Sequence, residues 1–415
     1  MNPEARELWK SPRWALAILL AMLGMLGPFS IDTYLPAFAA ISHSLDATPV
    51  QMQQTLSAYL FGFAFMNLFH GALSDSFGRR PVILIGLALF TLASVGCALS
   101  QTVQQLIAFR ALQGLSTGAG IVVSRAVIRD LFPPTEAQRV MSQITIFFGI
   151  APAVAPMIGG VLSEYMGWHS IFWFMVGVGL VLIVANVRLL PETLAPRDRQ
   201  PFEVSNLMRG YGALLSDPRF LLLALASGVP FNGLFLYILA APAFLGDILQ
   251  LAPTQFFWFF VLSISGIMAG SWMSGRMAGH VLPKNQIMQG FRIMLAISLV
   301  NLIANALFAP NPWWSLWPIT LFAFGWALMV PVVTLLVLDL HPSRRGMASS
   351  LQAVIGSVAN GIVAGVVAPL VMHSAFWMAF TSTLFMAVGL LAWLWLHRCW
   401  PEIGNPDKKQ ATRAA

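Results

Sequence analysis

Twelve long apolar stretches divide this 415-residue chain, and each is about the 20 residues that a helix needs to cross the hydrocarbon core of a membrane. They centre near residues 25, 60, 91, 115, 150, 178, 230, 263, 296, 326, 358 and 386. Hydrophobic residues make up 58% of the chain and charged residues only 9%, which is too few charges for a soluble surface. The sequence therefore predicts an all-α polytopic membrane protein with twelve transmembrane helices.

The longest polar interruption, residues 191–218, separates the sixth apolar stretch from the seventh and is rich in proline and charge. It predicts an N-terminal six-helix half over 1–190, a cytoplasmic linker over 191–218 and a C-terminal six-helix half over 219–398. A cytoplasmic tail follows over 399–415. Two such halves are typical of transporters whose substrate site lies near the membrane midplane between structural repeats.

The basic residues are distributed unevenly between the two predicted membrane faces. All of the 23 Lys and Arg residues except Arg110 and Arg292 fall in the tails and loops of one face, or at the helix ends beside them. Cytoplasmic loops of membrane proteins carry this excess of Lys and Arg. The pattern predicts that both termini lie in the cytoplasm. The formal charge of +7 therefore indicates orientation and contact with anionic lipid headgroups, and no nucleic-acid partner is expected.

Asp32 is the only acidic residue placed well inside a predicted span. A carboxylate in that position costs at least about 2–3 kcal/mol, so intramembrane acids mark ion or substrate pathways. Arg110 lies at a similar depth in the fourth stretch, and a buried Arg requires a partner or a water-filled cavity. We expect Asp32 to bind and release a proton, and Arg110 to adjust its proton affinity. Structural alternatives stay open for both residues. Asp32 caps a helix broken by Pro36 or lies in the outer headgroup layer, and Arg110 forms a static ion pair or donates to helix carbonyls.

Residues 71–80 form a short charged turn between the second and third apolar stretches. The turn resembles the loop signature of the major facilitator superfamily, G-x-L-x-D-x-x-G-R-[RK], at all six fixed positions. The residues that this resemblance assigns to an inner gate are Gly71, Asp75, Gly78, Arg79 and Arg80. In the family this acid contacts the start of the eleventh helix, here near residues 346–349, and latches the two halves together on the inside.

Asp75 falls at the C-terminal end of the second predicted helix, where the helix dipole disfavours an anion. It therefore needs a compensating partner. Arg79, Arg80 or the N-terminus of another helix would serve.

Two further segments resemble motifs of the same superfamily. The run from Arg110 to Gly114 resembles the R-x-x-Q-G motif that is tied to proton coupling. The fifth stretch resembles a motif of antiporters that is largely absent from symporters and uniporters. Its matching residues are Gly149, Pro152, Pro156, Gly159 and Gly160. Prolines bend a helix and glycines clear a face for a close neighbour, and together the motifs favour export over uptake.

Shorter segments narrow the resemblance to the bicyclomycin/chloramphenicol-efflux (Bcr/CflA) branch of bacterial drug:proton antiporters. They are residues 30–36, 55–59, 167–173 and 191–194, all in the N-terminal half. The branch more often has Tyr where this chain has His70. The resemblance implies a monomeric inner-membrane protein that exports small, largely hydrophobic drugs or antibiotics in exchange for protons, by alternating access. It implies no cofactor, because the proton gradient supplies the energy.

An apolar cavity with a few polar groups suits amphipathic drugs. The candidate cavity residues, polar or aromatic and within the predicted spans, are Tyr34, Gln113, Asn232, Tyr237 and Trp258. The alternative function is proton-coupled uptake or facilitated diffusion of a small metabolite. An enzyme is disfavoured because the spans contain no metal-ligand cluster, paired carboxylates or nucleophile–base pair. The chain also lacks the phosphate-binding pattern G-x-x-x-x-G-K-[ST], which disfavours ATP as the energy source.

Single cysteines in a variant lacking Cys97 and Cys399 test the predicted orientation. We expect Asp46→Cys and Asp247→Cys to react with a membrane-impermeant maleimide in intact cells, because both lie in loops without Lys or Arg. Asp198→Cys should react only after the cells are opened. Labelling of Asp198→Cys in intact cells would contradict the predicted orientation.

Overall fold

The computed structural model describes residues 13–251, 255 and 257–404, and over these residues the chain is helical, without strands. The twelve long helices are α1 (Arg13–Asp32), α2 (Pro49–Phe77), α3 (Arg79–Ala98), α4 (Val103–Leu131), α5 (Pro134–Met166), α6 (His169–Leu189), α7 (Pro218–Leu239), α8 (Phe257–Met277), α9 (Pro283–Leu307), α10 (Pro312–Leu340), α11 (Arg345–Ile362) and α12 (Ala375–Cys399). Each predicted apolar stretch falls in one of them, so the predicted twelve-helix membrane fold is confirmed. Judged over the described residues, ten of the helices are long and apolar enough to cross a membrane.

Local sequence determines where many of the helices begin. Proline has its φ angle fixed near the helical value and needs no donor in the first turn, so it suits the first helical position. Side-chain oxygens then cap the free N–H groups of that turn. The prolines that open helices are Pro49, Pro134, Pro218, Pro283 and Pro312. The residues whose side chains cap a helix are Thr48, Thr102, Asp217, Asn311 and Ser374.

The first and eleventh spans are interrupted. Helix α1 ends at Asp32 and is followed by a 3₁₀ turn, Leu35–Ala37, and a short helix, Phe38–Ser44. Pro36 lies in that turn and has no backbone N–H to continue the α-helical ladder. Helix α11 continues through a π-helical segment, Val363–Val367, into the short helix Ala368–Val371. The two breaks give these spans irregular backbone, and a π-helical segment, Pro242–Ile248, likewise follows α7.

The chain divides into two compact units. The first comprises Met1–Pro133, Phe147–Tyr211 and Pro342–Val354, and the second comprises Pro134–Ile146, Gly212–His341 and Ile355–Ala415. The start of α11 therefore belongs to the first unit and the start of α5 to the second. The predicted boundaries at 190 and 219 stay a prediction.

The two units repeat one pattern of helix packing. In the first unit, α4 packs against α1, α2 and α3, and α3 packs against α6. In the second unit, α10 packs against α7, α8 and α9, and α9 packs against α12. Each pair in the second unit is the corresponding pair of the first displaced by six helices. This is the arrangement that two six-helix repeats produce.

Small residues bring α2 and α4 into close contact. A Cβ atom added to Gly114 would overlap the backbone carbonyl of Tyr59, and one added to Gly62 would overlap that of Ala111. Membrane helices associate through such small-residue faces because lipid supplies no hydrophobic force between them. The glycines therefore fix the spacing of the two helices that carry the sites described below.

Gly114→Ala should lower the melting temperature of the detergent-purified protein, followed by fluorescence-detected size exclusion, because overpacking costs about 1–3 kcal/mol. Gly177→Ala on α6 is the matched control, since nothing lies within 4 Å of its added Cβ. Equal melting temperatures for the two variants would contradict the close packing of α2 on α4.

Candidate functional site

The carboxylate of Asp75, at the end of α2, is directed at the start of α11. Its side chain is buried and accepts hydrogen bonds from the backbone N–H groups of Gly346, at 3.2 Å, and Met347, at 3.0 Å. These N–H groups belong to the first turn of α11, where the helix dipole is positive. The structure thus brings Asp75 together with the segment that the family resemblance names.

Charged side chains complete the surroundings of Asp75. Arg79 is also buried, and its guanidinium lies 2.5 Å from Asp75 Oδ1 and 3.1 Å from Asp130 Oδ2. Arg345 donates to the other oxygen of Asp130 at 2.9 Å. We call these four residues the Asp75 cluster. Asp130 and Arg345 are half-buried. Two acids alternate with two arginines, so each buried charge faces an opposite one, as buried ion pairs require.

Asp130 and Arg345 were not predicted from the sequence. The available signal for Asp130 was its position, because an acid at the end of the fourth apolar stretch lies at the same membrane face as the 71–80 turn. Arg345 directly precedes the segment expected to meet Asp75. Sequence alone did not show that the two side chains meet.

Glycine is required at the two glycine positions of the turn for different structural reasons. Gly78 links α2 to α3 with a φ of 104°, a left-handed conformation that other residues rarely adopt. A Cβ on Gly71 would overlap the carbonyl of Gly346, and its N–H donates to Ser350 Oγ at 2.9 Å. Gly71 therefore permits the backbones of α2 and α11 to touch.

Of the two arginines considered as partners for Asp75, only Arg79 pairs with its carboxylate. Arg80 points away from the cluster and donates to the carbonyl of Val187, at the end of α6, at 2.6 Å. Successive residues at a helix start project in different directions, so Arg79 and Arg80 cannot both reach one carboxylate.

Arg110 is wholly buried and is compensated chiefly by aromatic rings. The guanidinium carbon lies 4.5 Å from the ring centre of Tyr34 and 4.3 Å from that of Tyr59. One nitrogen also donates to Gln113 Oε1 at 2.6 Å and to the Ser30 carbonyl at 3.3 Å. A desolvated cation–π contact contributes about 2 kcal/mol, so two rings replace much of what a carboxylate would supply.

Tyr34 and Gln113, which were expected to face a substrate cavity, are instead buried among the helices of the first unit. Gln113 donates to Ser94 Oγ at 2.8 Å and lies 3.5 Å from the sulfur of Met175. The hydroxyl of Tyr34 bonds to that of Thr55 at 2.6 Å. Their polar groups hold the Tyr34 ring and the Arg110 guanidinium in place. A sequence alone does not distinguish such internal hydrogen bonds from contacts with a ligand.

Tyr59 lies in one of the segments that resemble the Bcr/CflA branch, and its side chain contacts both α1 and α4. Its hydroxyl bonds to Ser30 Oγ at 2.7 Å and donates to the Gly27 carbonyl at 3.1 Å, while its ring covers Arg110. It therefore ties α1, α2 and α4 together at one point.

Asp32 is the last residue of α1 and is half-buried. In the described part of the chain, no ion pair within 4.0 Å joins Asp32 to Arg110, whose guanidinium reaches the Ser30 carbonyl two residues earlier. Both residues therefore lie near the end of α1 without pairing. Helix α1 does end at Asp32, as expected if Asp32 caps a helix that is broken near Pro36.

Helix α5 meets the end of α1 at one of its motif glycines. A Cβ on Gly159 would overlap the carbonyl of Thr33, next to Asp32, whereas Gly160 faces open space. Pro156 is half-buried. Gly149 and Pro152 lie in α5, but the surroundings of their side chains fall outside the described residues.

The three candidate cavity residues of the second unit lie in different environments. Tyr237 accepts a hydrogen bond from Asn301 at 3.1 Å beside a cavity of about 10 Å³, room for one water molecule. Asn232 is buried and donates to the Gly228 carbonyl at 3.1 Å. Trp258 is exposed and lines an apolar cleft of 490 Å³ with Trp313 and others. The structure does not gather these side chains into one cavity.

The second unit carries an uncharged counterpart of the Asp75 cluster. Near the end of α8, Gln138 of α5 donates to the Ser274 carbonyl and to Gln286 Oε1, both at 2.8 Å. Gln286 donates in turn to the Leu328 carbonyl at 2.8 Å. Amide groups thus occupy the place that charges occupy in the first unit.

Comparison with known proteins identifies the family. The sequence matches the profile of the Major Facilitator Superfamily over residues 16–364. The chain belongs to the major facilitator superfamily. It is therefore a multi-pass membrane transporter and not an enzyme.

Two of its relatives match over almost their whole length. The "Bicyclomycin resistance protein homolog" of Haemophilus influenzae is 32% identical over 389 residues, which cover 91% of this chain and 95% of the relative. "Multidrug resistance protein D" of Escherichia coli K12 is 28% identical over 396 residues, which cover 94% of this chain and 98% of that relative. A crystal structure of the human organic anion transporter MFSD10 has a TM-score of 0.70 at 20% identity, covering 93% of this chain and 100% of its own, which supports the fold alone.

Arg110→Lys should lower the free energy of unfolding by about 2–4 kcal/mol, because an ammonium cannot stack between two rings and donate as the planar guanidinium does. Arg292→Lys is the matched control, since Arg292 also lies in a spanning helix but is exposed. The melting temperatures of the two purified variants report the difference. An Arg110→Lys protein as stable as the control would contradict the role of the rings.

Proposed function

We propose that this transporter exports small, largely hydrophobic drugs or antibiotics across the bacterial cytoplasmic membrane in exchange for protons. It works as a monomer by alternating access, with both termini in the cytoplasm and the proton gradient as its energy source. Two relatives that match over nearly their full length carry resistance names, for bicyclomycin in one case and for multiple drugs in the other. The antiporter-like sequence of α5 supports the same direction of transport.

The state of Asp32 is the observation that carries proton coupling. Tyr34, Tyr59 and Gln113 compensate the charge of Arg110, and among the described residues Asp32 has no ion-pair partner. A carboxylate without a salt bridge can accept a proton without breaking one. Asp32 is half-buried at the end of α1, so a change in its charge acts directly on the end of that helix.

The Asp75 cluster supplies the inner latch of this cycle. Its hydrogen bonds to the start of α11 hold that helix against α2, and separating them exposes two N–H groups and a carboxylate together. Contacts that form and break as a set give two discrete states rather than a continuum, which alternating access requires.

Asp32→Asn tests the proposal in an efflux-deficient bacterial host. The wild-type protein should raise resistance to at least one class among phenicols, bicyclomycin, dyes and quaternary cations. Asp32→Asn keeps the size of the side chain but cannot titrate, so resistance should fall to that of the empty vector at equal protein in the membrane. Asp46→Asn, which changes an exposed acid of a loop, is the matched control, and cells that express it should stay resistant.

Two results would contradict the proposal. If Asp32→Asn exported an electroneutral compound against its gradient at the wild-type rate, Asp32 would be at most a recognition group for cations. If the wild-type protein increased accumulation of the compounds inside the cell, the transporter would work as an uptake system.

A further inference from the structure

A residue of the linker caps a helix of the Asp75 cluster. Glu192 lies just beyond the end of α6, and its carboxylate accepts hydrogen bonds from the backbone N–H groups of Arg79, at 2.9 Å, and Arg80, at 3.3 Å. These are the first two residues of α3. The same carboxylate accepts the N–H of Leu194 at 2.9 Å. A Cβ on Gly78 would overlap it, so that glycine also makes room for Glu192.

The turn itself cannot supply this cap. The first N–H groups of a helix have no partner within the helix, and a Ser, Thr, Asp or Asn before it normally provides one. In α3 that place is taken by Gly78, whose φ of 104° favours glycine and whose side chain offers no acceptor. The cap therefore has to come from elsewhere in the chain. A carboxylate is well suited because the helix N-terminus carries partial positive charge.

The capped residue is the arginine at the centre of the cluster. Arg79 bonds through its side chain to Asp75, Asp130 and Ser74 Oγ, the last at 2.7 Å. Since Glu192 holds the backbone N–H of the same residue, it limits where the guanidinium can lie. A shift of the first turn of α3 would carry the guanidinium away from both acids at once.

Other linker residues also contact the Asp75 cluster or the helix that carries Asp75. The backbone N–H of Gln200 donates to the Asp75 carbonyl at 2.9 Å, and Thr193 Oγ1 lies 3.4 Å from Asp130 Oδ2. The hydroxyl of Tyr211 donates to the Leu68 carbonyl of α2. The linker therefore touches the backbone or side chains of both acids, besides the N-terminus of α3.

We propose that Glu192 is a positioning residue for the Asp75 cluster. By capping α3 it keeps Arg79 between Asp75 and Asp130, and so sets how readily the start of α11 separates from α2. The linker then regulates the latch as well as joining the halves. The consequence for transport rests on the proposed function, but the effect on the α2–α11 contact does not.

Ala348→Cys provides a reporter of that contact. Ala348 is wholly buried in the first turns of α11, so in a background lacking Cys97 and Cys399 its alkylation by N-ethylmaleimide requires α11 to move. Glu192→Gln should raise the alkylation rate of the purified protein by about tenfold, the effect of losing one charge-assisted hydrogen bond. Glu192→Asp, which keeps the charge on a shorter side chain, should restore part of the protection. Glu203→Gln is the matched control in the same linker and should leave the rate unchanged because Glu203 is exposed.

A double variant separates positioning from a general contribution to folding. In Arg79→Gln the alkylation rate should already be high, and adding Glu192→Gln should raise it little further, because Glu192 acts through Arg79. The proposal fails if Glu192→Gln lowers the melting temperature without changing alkylation at position 348, or if its effect adds in full to that of Arg79→Gln.

The assay contains neither a transport substrate nor a proton gradient. Failure of drug export or of Asp32 as the proton carrier would leave its expected result unchanged. Conversely, an unchanged alkylation rate would remove Glu192 from the latch without bearing on export.

Discussion

A charge inside a membrane-spanning helix must be compensated, and the way each charge is compensated governs what it can do. Arg110 lies between two tyrosine rings and is fixed there. Asp75 receives an arginine and the first N–H groups of α11. Asp32 has neither kind of partner among the described residues. The first two charges therefore hold structure in place, while the third is the one that we propose binds and releases a proton.

The two units meet the same packing requirement with different chemistry. In the first, four charged side chains join α2, α3, α4 and the start of α11. In the second, Gln138 and Gln286 join the corresponding helices through neutral amides. Removing one partner of a buried ion pair leaves an unpaired charge at a cost of about 3–5 kcal/mol, whereas an amide loses only its hydrogen bonds. Loss of a single partner therefore costs more in the charged cluster of the first unit than in the amide cluster of the second.

The membrane makes the fold largely predictable from the sequence. Lipid offers no partner to a backbone N–H or C=O group, so each long apolar stretch has to become a helix, and all twelve do. The contact of Asp75 with the start of α11 could be expected from the family resemblance, because the signature that carries it is local and dense. Glu192 and Asp130 were missed because each contacts residues distant in sequence, Glu192 across 113 positions and Asp130 across 51. Tyr34 and Gln113 were assigned to a cavity because a sequence shows that a residue is polar but not which neighbour its side chain faces.

Substrate-driven proton movement tests the central claim most directly. Purified wild-type protein is reconstituted in proteoliposomes that contain a pH-sensitive dye, and an electroneutral compound that it exports from cells is added outside. Compound entering down its gradient should drive protons out, so the lumen should become more alkaline, with no change in liposomes lacking the protein. Acidification of the lumen would indicate symport, and compound entry without any pH change would indicate uncoupled transport. Either result would contradict drug:proton exchange.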